Sequence, residues 1–194
     1  NTFYQWLVNT PTKYQFGKRK EDFHTLFNKY INDLLRNRRI TLTKKQSAVI
    51  SANSEDPLIL VQGPPGTGKS YTIAWALLAR IAYASVVNKP LRILVSCKTH
   101  NAINVVLNEI ARANQITGGF APINLGGTVF SRLKIYKMVN NLNDPCPKGV
   151  VPVKAYGNGS GLQSMLSEPH VIIGSTPGGA YNLMKYSSYN GREI

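Results

Sequence analysis

Acidic residues are scarce in this chain. Nine Asp and Glu stand against 23 Lys and Arg in 194 residues, a formal net charge of +14 at pH 7. That imbalance disfavours a basic partner and favours a polyanion, nucleic acid first; a basic surface whose acidic counterpart lies in further sequence reads the same way. Cysteine is scarcer, with only Cys97 and Cys146. Two thiols exclude a disulfide-dense secreted scaffold and suit a reducing, intracellular compartment, cytoplasmic or nuclear. Neither has partners at metal-ligand spacing, so no structural zinc is expected. No apolar run reaches the length of a membrane span. The opening Asn1-Thr2-Phe3 has neither an initiator Met nor a signal-peptide pattern, as expected of a cut inside a longer protein. Hydrophobic residues are not lacking: at 43% they suffice for one core and a small appended element.

Against this background one motif stands out. Gly63-Pro64-Pro65-Gly66-Thr67-Gly68-Lys69-Ser70 matches the phosphate-binding pattern G-x-x-x-x-G-K-[ST] in full. Glycines let backbone N–H groups wrap a phosphate where a side chain would collide. The lysine brings positive charge to the β- and γ-phosphates, and the serine hydroxyl can ligate Mg²⁺. The flanks suit the motif. The apolar run 58–61 predicts a buried parallel strand before the loop. Residues 72–87 contain no Gly or Pro and predict a helix after it, with Ile73, Ala76, Leu77, Ile81 and Ala84 inward. The helix N-terminus adds its dipole to the anion site. Lys69 and Ser70 are the candidate catalytic groups, Gly63 to Tyr71 the candidate nucleotide seat, and ATP with Mg²⁺ the expected ligand.

The rest of the chain alternates strands and helices, which predicts an α/β fold: a parallel sheet with helices on both faces. Residues 1–40 form an N-terminal segment. Within it 1–20 is aromatic and basic, and 22–37 predicts an amphipathic helix with a stripe of Phe23, Leu26, Phe27, Tyr30, Ile31, Leu34 and Leu35. Thr43-Lys44-Lys45-Gln46 opens a second short helix and reads as a capping box. A strand is expected over 91–97, a helix over 101–113 and a strand from His170. Between them 114–169 reads as an insertion, with a helix over 129–142 and loop over 143–161.

The motifs Leu42-Thr43-x-x-Gln46, Gly63 to Ser70, and Ile93-Leu94-Val95 followed by Lys98-Thr99-His100-Asn101-Ala102 resemble, in order, those of superfamily 1 helicases, closest to the Upf-one-like branch. The likeness covers about residues 40–113 and returns at 171–180. It implies that 41–194 is a partial RecA-like ATP-binding domain, the N-terminal part of a first motor domain, working with a second motor domain and single-stranded DNA or RNA. It implies that Gln46 reads the adenine edge; the capping box is the alternative use of the same side chain. By the same likeness Thr99, His100 and Asn101, and also Ser175 and Thr176, hold the backbone of a nucleic-acid strand, although His100 departs from the usual Ser-Asn or Thr-Asn.

The family hydrolyses ATP with a paired Asp and Glu ending a third strand. Here the acids after Ser70 are Glu109, Asp144, Glu168 and Glu193, none paired and none ending an apolar run. The expectation is a helicase or translocase fragment that holds phosphates without cleaving them. Two alternatives stay open: another P-loop ATPase of the AAA+ type, and a non-catalytic nucleotide-binding module.

Overall fold

Parallel strands cannot be joined by tight hairpins, so helices or long loops must carry the chain back between them. The computed structural model describes residues 31–33, 35–37, 40–51, 60–86, 88–118, 127–154 and 160–189. The chain divides into two compact units, Asn1–Lys69 and Ser70–Ile194.

In the first unit residues 31–33 and 35–36 are helical, with Ile31 buried. The remainder of the expected amphipathic stripe, and the aromatic stretch 1–20, lie outside the described residues. Helix α1 (Lys44–Ile50) begins at a complete capping box. The Gln46 N–H donates to Thr43 Oγ1 at 3.2 Å, and the Thr43 N–H donates to Gln46 Oε1 at 2.9 Å. The strand expected over 58–61 is corrected where it can be seen. Residues 58 and 59 lie outside the described residues, but Leu60 and Val61 are not in a strand and are 85% and 42% exposed. A short apolar run stays extended only by pairing with a neighbour.

Helix α2 (Lys69–Val86) starts three residues earlier than the sequence suggests, because the glycine loop leads straight into it. Its buried face is wider than the predicted stripe. Ala74, Trp75, Leu78 and Ile81 are fully buried, whereas Ile73 is 37% exposed. The helix ends at Asn88, which has φ 53°. The Lys89 N–H reaches Ala84 O at 2.9 Å and the Asn88 N–H reaches Ser85 O at 3.1 Å, a Schellman closure with Asn in the left-handed position.

The second unit continues with β1 (Leu91–Ser96), α3 (His100–Gly118), α4 (Gly127–Arg132), β2 (Lys134–Val139), β3 (Val151–Lys154), α5 (Ser160–Ser167), β4 (His170–Ser175) and α6 (Pro177–Tyr189). The strands form one sheet in the order β1-β4-β2-β3, and every pairing is parallel. This is an incomplete α/β sheet of the P-loop NTPase kind. Strand β4 enters last and slots between β1 and β2, with Leu94 opposite Ile173 and Tyr136 opposite Ile173 on the other side.

Two expectations for the middle of the chain are corrected. Residues 129–142 are helical only to Arg132 and then become β2. Ile135 to Val139 are all buried, the signature of an inner strand covered on both faces. Residues 143–161 include β3, whose Pro152 is tolerated because β3 lies at the sheet edge. Among the described residues the span 114–169 supplies β2 and β3 to the sheet.

Side chains alternate across the sheet, and each face has its own cover. On one face Tyr136, Met138, Val153, Val171 and Ile173 pack with Leu162, Met165 and Leu166 of α5 and Leu183 of α6. On the other, Gly174 lies beneath α3. A Cβ there would stand 2.6 Å from Leu107 Cδ1 and 2.8 Å from Ile103 Cγ2. A residue without a side chain is what lets α3 approach this closely.

Candidate functional site

The glycine loop is built as its sequence requires. Gly66 and Gly68 have φ of 81° and 75°, backbone that a side chain would strain. Successive N–H groups turned in this way form a concave nest that suits an anion. Gly63 is fixed for a different reason: a Cβ would meet Thr67 Oγ1 at 2.7 Å. Thr67 Oγ1 donates to Pro64 O at 2.8 Å and closes the loop on itself. Lys69 Nζ donates to Gly63 O at 2.6 Å and to Pro64 O at 2.7 Å. Two of the three donors of the ammonium thus hold it over the loop. Pro65 and Gly66 are exposed at the tip. Ser70 and Tyr71 follow in the first turn of α2, both half-buried. Tyr71 leans edge-on against Trp75, with ring centroids 6.1 Å apart.

Gln46 belongs to this loop as well as to its own helix. While Oε1 accepts from Thr43, Nε2 donates to Thr67 O at 3.3 Å. Both uses proposed for Gln46 touch the same amide, and the capping box is formed.

A second site lies at the C-terminal ends of the strands, where parallel α/β sheets place their ligands. Strands β1 and β4 run in register to Ser96 and Ser175, and the Cys97 N–H extends the pairing to Ser175 O at 3.2 Å. Each strand passes into a helix through a threonine cap. Thr99 Oγ1 accepts from the Ala102 N–H at 3.2 Å at the start of α3. Thr176 Oγ1 accepts from the Gly179 N–H at 3.3 Å at the start of α6. The caps satisfy some terminal N–H groups and leave the helix dipoles directed at the space between. That space is a cleft of about 270 Å³ lined by His100, Met138, Val139, Asn140, Ser175, Thr176, Gly178, Gly179 and Asn182. It is smaller than pockets that enclose a whole drug-sized ligand.

The fold thus joins His100 with Ser175 and Thr176, about 75 positions later in sequence, on one cleft. Thr99 serves as the cap of α3, and Asn101 is exposed and does not line the cleft. Ser175 is fully buried, with its hydroxyl donating to Thr176 O at 3.1 Å. Gly179 has no room for a side chain because Ser175 Oγ occupies that position. His100 Nδ1 is buried and meets no partner. Asn140, Gly178, Gly179 and Asn182 were not singled out from sequence. Asn140 follows a strand that reads as helix, and Gly178-Gly179 reads as a plain turn instead of the first turn of a helix.

Behind the cleft the loop 140–150 is pinned. Lys137 Nζ donates to Pro145 O at 2.6 Å, although Lys137 is only 1% exposed, and Asn104 Nδ2 donates to the same oxygen at 3.4 Å. Cys97 and Cys146 are free thiols. Burial pushes both above the ordinary thiol value, with Lys137 opposing it at Cys146, so neither is an activated nucleophile. Among the described residues no helix is long and apolar enough to cross a membrane.

A family model described as an AAA domain matches residues 41–129, just under half of the chain. The matched span holds α1, the glycine loop, α2, β1 and α3. No curated protein and no solved structure matches the chain. The match likens this span to AAA domains, and the parallel sheet is that of an incomplete α/β P-loop NTPase fold.

Proposed function

We propose that the chain is part of the motor of an ATP-dependent helicase or translocase. Its glycine loop takes the phosphates of ATP and its strand-end cleft takes the backbone of single-stranded nucleic acid. The observation that carries this reading is the convergence of His100, Ser175 and Thr176 on one cleft between two capped helix N-termini. Those residues come from the two turns that resemble the strand-contacting loops of superfamily 1 helicases. The net charge of +14 supports the same partner.

In this reading Gly63 to Gly68 wrap the β-phosphate with backbone N–H groups. Lys69 exchanges its two carbonyl contacts for the β- and γ-phosphate oxygens, and Ser70 offers its hydroxyl to Mg²⁺. Bound Mg²⁺ supplies charge neutralisation on the phosphates. Tyr71 contributes to the nucleotide seat from the first turn of α2, and Gln46 reads adenine. Asn101, exposed beside the cleft's helix, and Thr99 extend the strand-binding surface. A second motor domain completes the strand path.

The test is paired binding. Lys69→Ala is expected to lower ATP affinity by two orders of magnitude or more, with the circular dichroism spectrum unchanged, because Lys69 contacts only loop carbonyls. Single-stranded oligonucleotide is expected to bind wild type and variant alike. Equal ATP affinity in both proteins refutes the phosphate role, and no oligonucleotide binding refutes the helicase reading.

A further inference from the structure

The cleft at the strand ends has an unusual chemistry for a nucleic-acid site. None of its lining residues is Lys, Arg, Asp or Glu, and His100 is the one titratable group among them. A phosphate held there meets helix N-termini, hydroxyls and amides, with no side-chain cation at close range. Such a seat positions a strand but adds little counterion release, the main source of affinity for phosphate-clamping proteins. Binding energy for this part of the strand must come from somewhere other than charge.

Helix α6 carries a group that can supply it. Gly178 and Asn182 both line the cleft and stand four residues apart, on one face of α6. Tyr181 is three residues after Gly178 and next to Asn182, so it borders the same face about 4.5 Å further along the helix axis. It is 68% exposed, the one aromatic among the exposed large hydrophobic side chains of the described residues. Ala180 and Leu183 are the buried positions of this turn. A solvent-facing phenol ring next to cleft-lining Asn182 on the same helix is placed to act as a stacking platform.

We propose that Tyr181 stacks a base of the strand whose phosphate sits in the cleft, so that binding here is driven by stacking and is tolerant of sequence. The proposal rests on the cleft being a single-strand site and adds the group that provides its affinity. Every base has a π-face, so the platform accepts DNA or RNA of any sequence, with purines favoured by their larger rings. Discrimination would arise elsewhere.

The experiment measures binding of single-stranded oligothymidylate and oligoadenylate, and of the same strands with abasic sites, to wild type, Tyr181→Ala and Tyr181→Phe over a range of salt. Tyr181→Ala is expected to bind about 5- to 100-fold more weakly, by the same factor at every salt concentration, because no phosphate contact is lost. Tyr181→Phe should retain wild-type affinity, since the ring and not the hydroxyl acts. Abasic strands should bind wild type and Tyr181→Ala equally. Tyr181→Trp should show tryptophan quenching when an intact strand binds. If oligonucleotides bind wild type and Tyr181→Ala with equal affinity, the platform is overturned while the single-strand site stands. If the loss in Tyr181→Ala comes with a shallower salt dependence, the residue acts through phosphate contact and the platform is again overturned. If wild type binds no oligonucleotide, both the platform and the helicase reading fail.

Discussion

Gln46 shows how one side chain serves two structures. Its amide has two acceptor lone pairs and two N–H donors. The fold takes one of each: Oε1 accepts from Thr43 and Nε2 donates to Thr67 O. One acceptor and one donor remain, the pair that adenine N6 and N7 require. Capping and base reading are therefore compatible. Gln46→Glu keeps an oxygen for the capping box but loses the donor. The variant also loses the bond to Thr67 O and is expected to lose about 1 kcal/mol of stability together with preference for ATP over GTP, as nucleotide competition will measure. Gln46→Ala should lose the preference and, in addition, about 1 kcal/mol of stability through the broken cap. His170 carries a pH-dependent prediction. Burial holds its imidazole below the ordinary value of 6.5, and Nδ1 is buried without a partner. The fold prefers the neutral ring, so the unfolded chain takes up the proton first. His170 therefore costs no stability above pH 6.5, and stability falls as pH drops from there to the lower folded value. Denaturant melts at pH 7.5 and 5.5 should show a larger acid loss in wild type than in His170→Gln.

At the scale of elements, β4 and its two neighbours decide where the site lies. The strand was legible from His170-Val171-Ile172-Ile173, and its boundary moved only to include Gly174 and Ser175. Its importance is in Gly174, which places α3 hard against the sheet. Gly174→Ala drives a methyl into Leu107 and Ile103, both fully buried and unable to swing away. It is expected to cost about 1–3 kcal/mol, measured by urea denaturation, and to shift His100 with the helix and so weaken oligonucleotide binding. Strand β2 was not legible. Val129, Phe130, Leu133, Tyr136 and Lys137 recur at helical spacing, and that period competes with the β-rich run 134–139. Pairing with β4 resolves the conflict in favour of the strand, because local propensity is weaker than a ladder filled on both sides. Strand β3 was hidden by Pro152, which excludes a central strand but not an edge one.

For the whole molecule, the charge balance and the acid census carry the argument. A net charge of +14 gives long-range attraction to a polyanion. The acids after Ser70 include no adjacent pair. Glu109 lies within α3, Asp144 is engaged with the Asn141 N–H at 3.0 Å, and Glu168 follows α5. None ends a strand beside the glycine loop's sequence. These 194 residues are expected to bind ATP and to release phosphate at background rates, with or without single-stranded nucleic acid. A phosphate-release assay checks this, and vigorous turnover would falsify the division between holding and cleaving.

The candidate site was legible in pieces. The glycine loop's backbone could be read directly, since φ > 0 at Gly66 and Gly68 follows from residue type and spacing within eight positions. The capping box and the helices α1 and α3 followed from local periodicity for the same reason: their hydrogen bonds connect near neighbours. What tertiary structure alone decided was non-local. It placed β4 between β1 and β2, turned a helical-looking segment into an inner strand, and left Leu60 and Val61 exposed and out of a strand. It also set His100 beside Ser175 and Thr176 on one cleft. Parallel pairing joins residues separated by long stretches of chain, and no local pattern records which strands will meet.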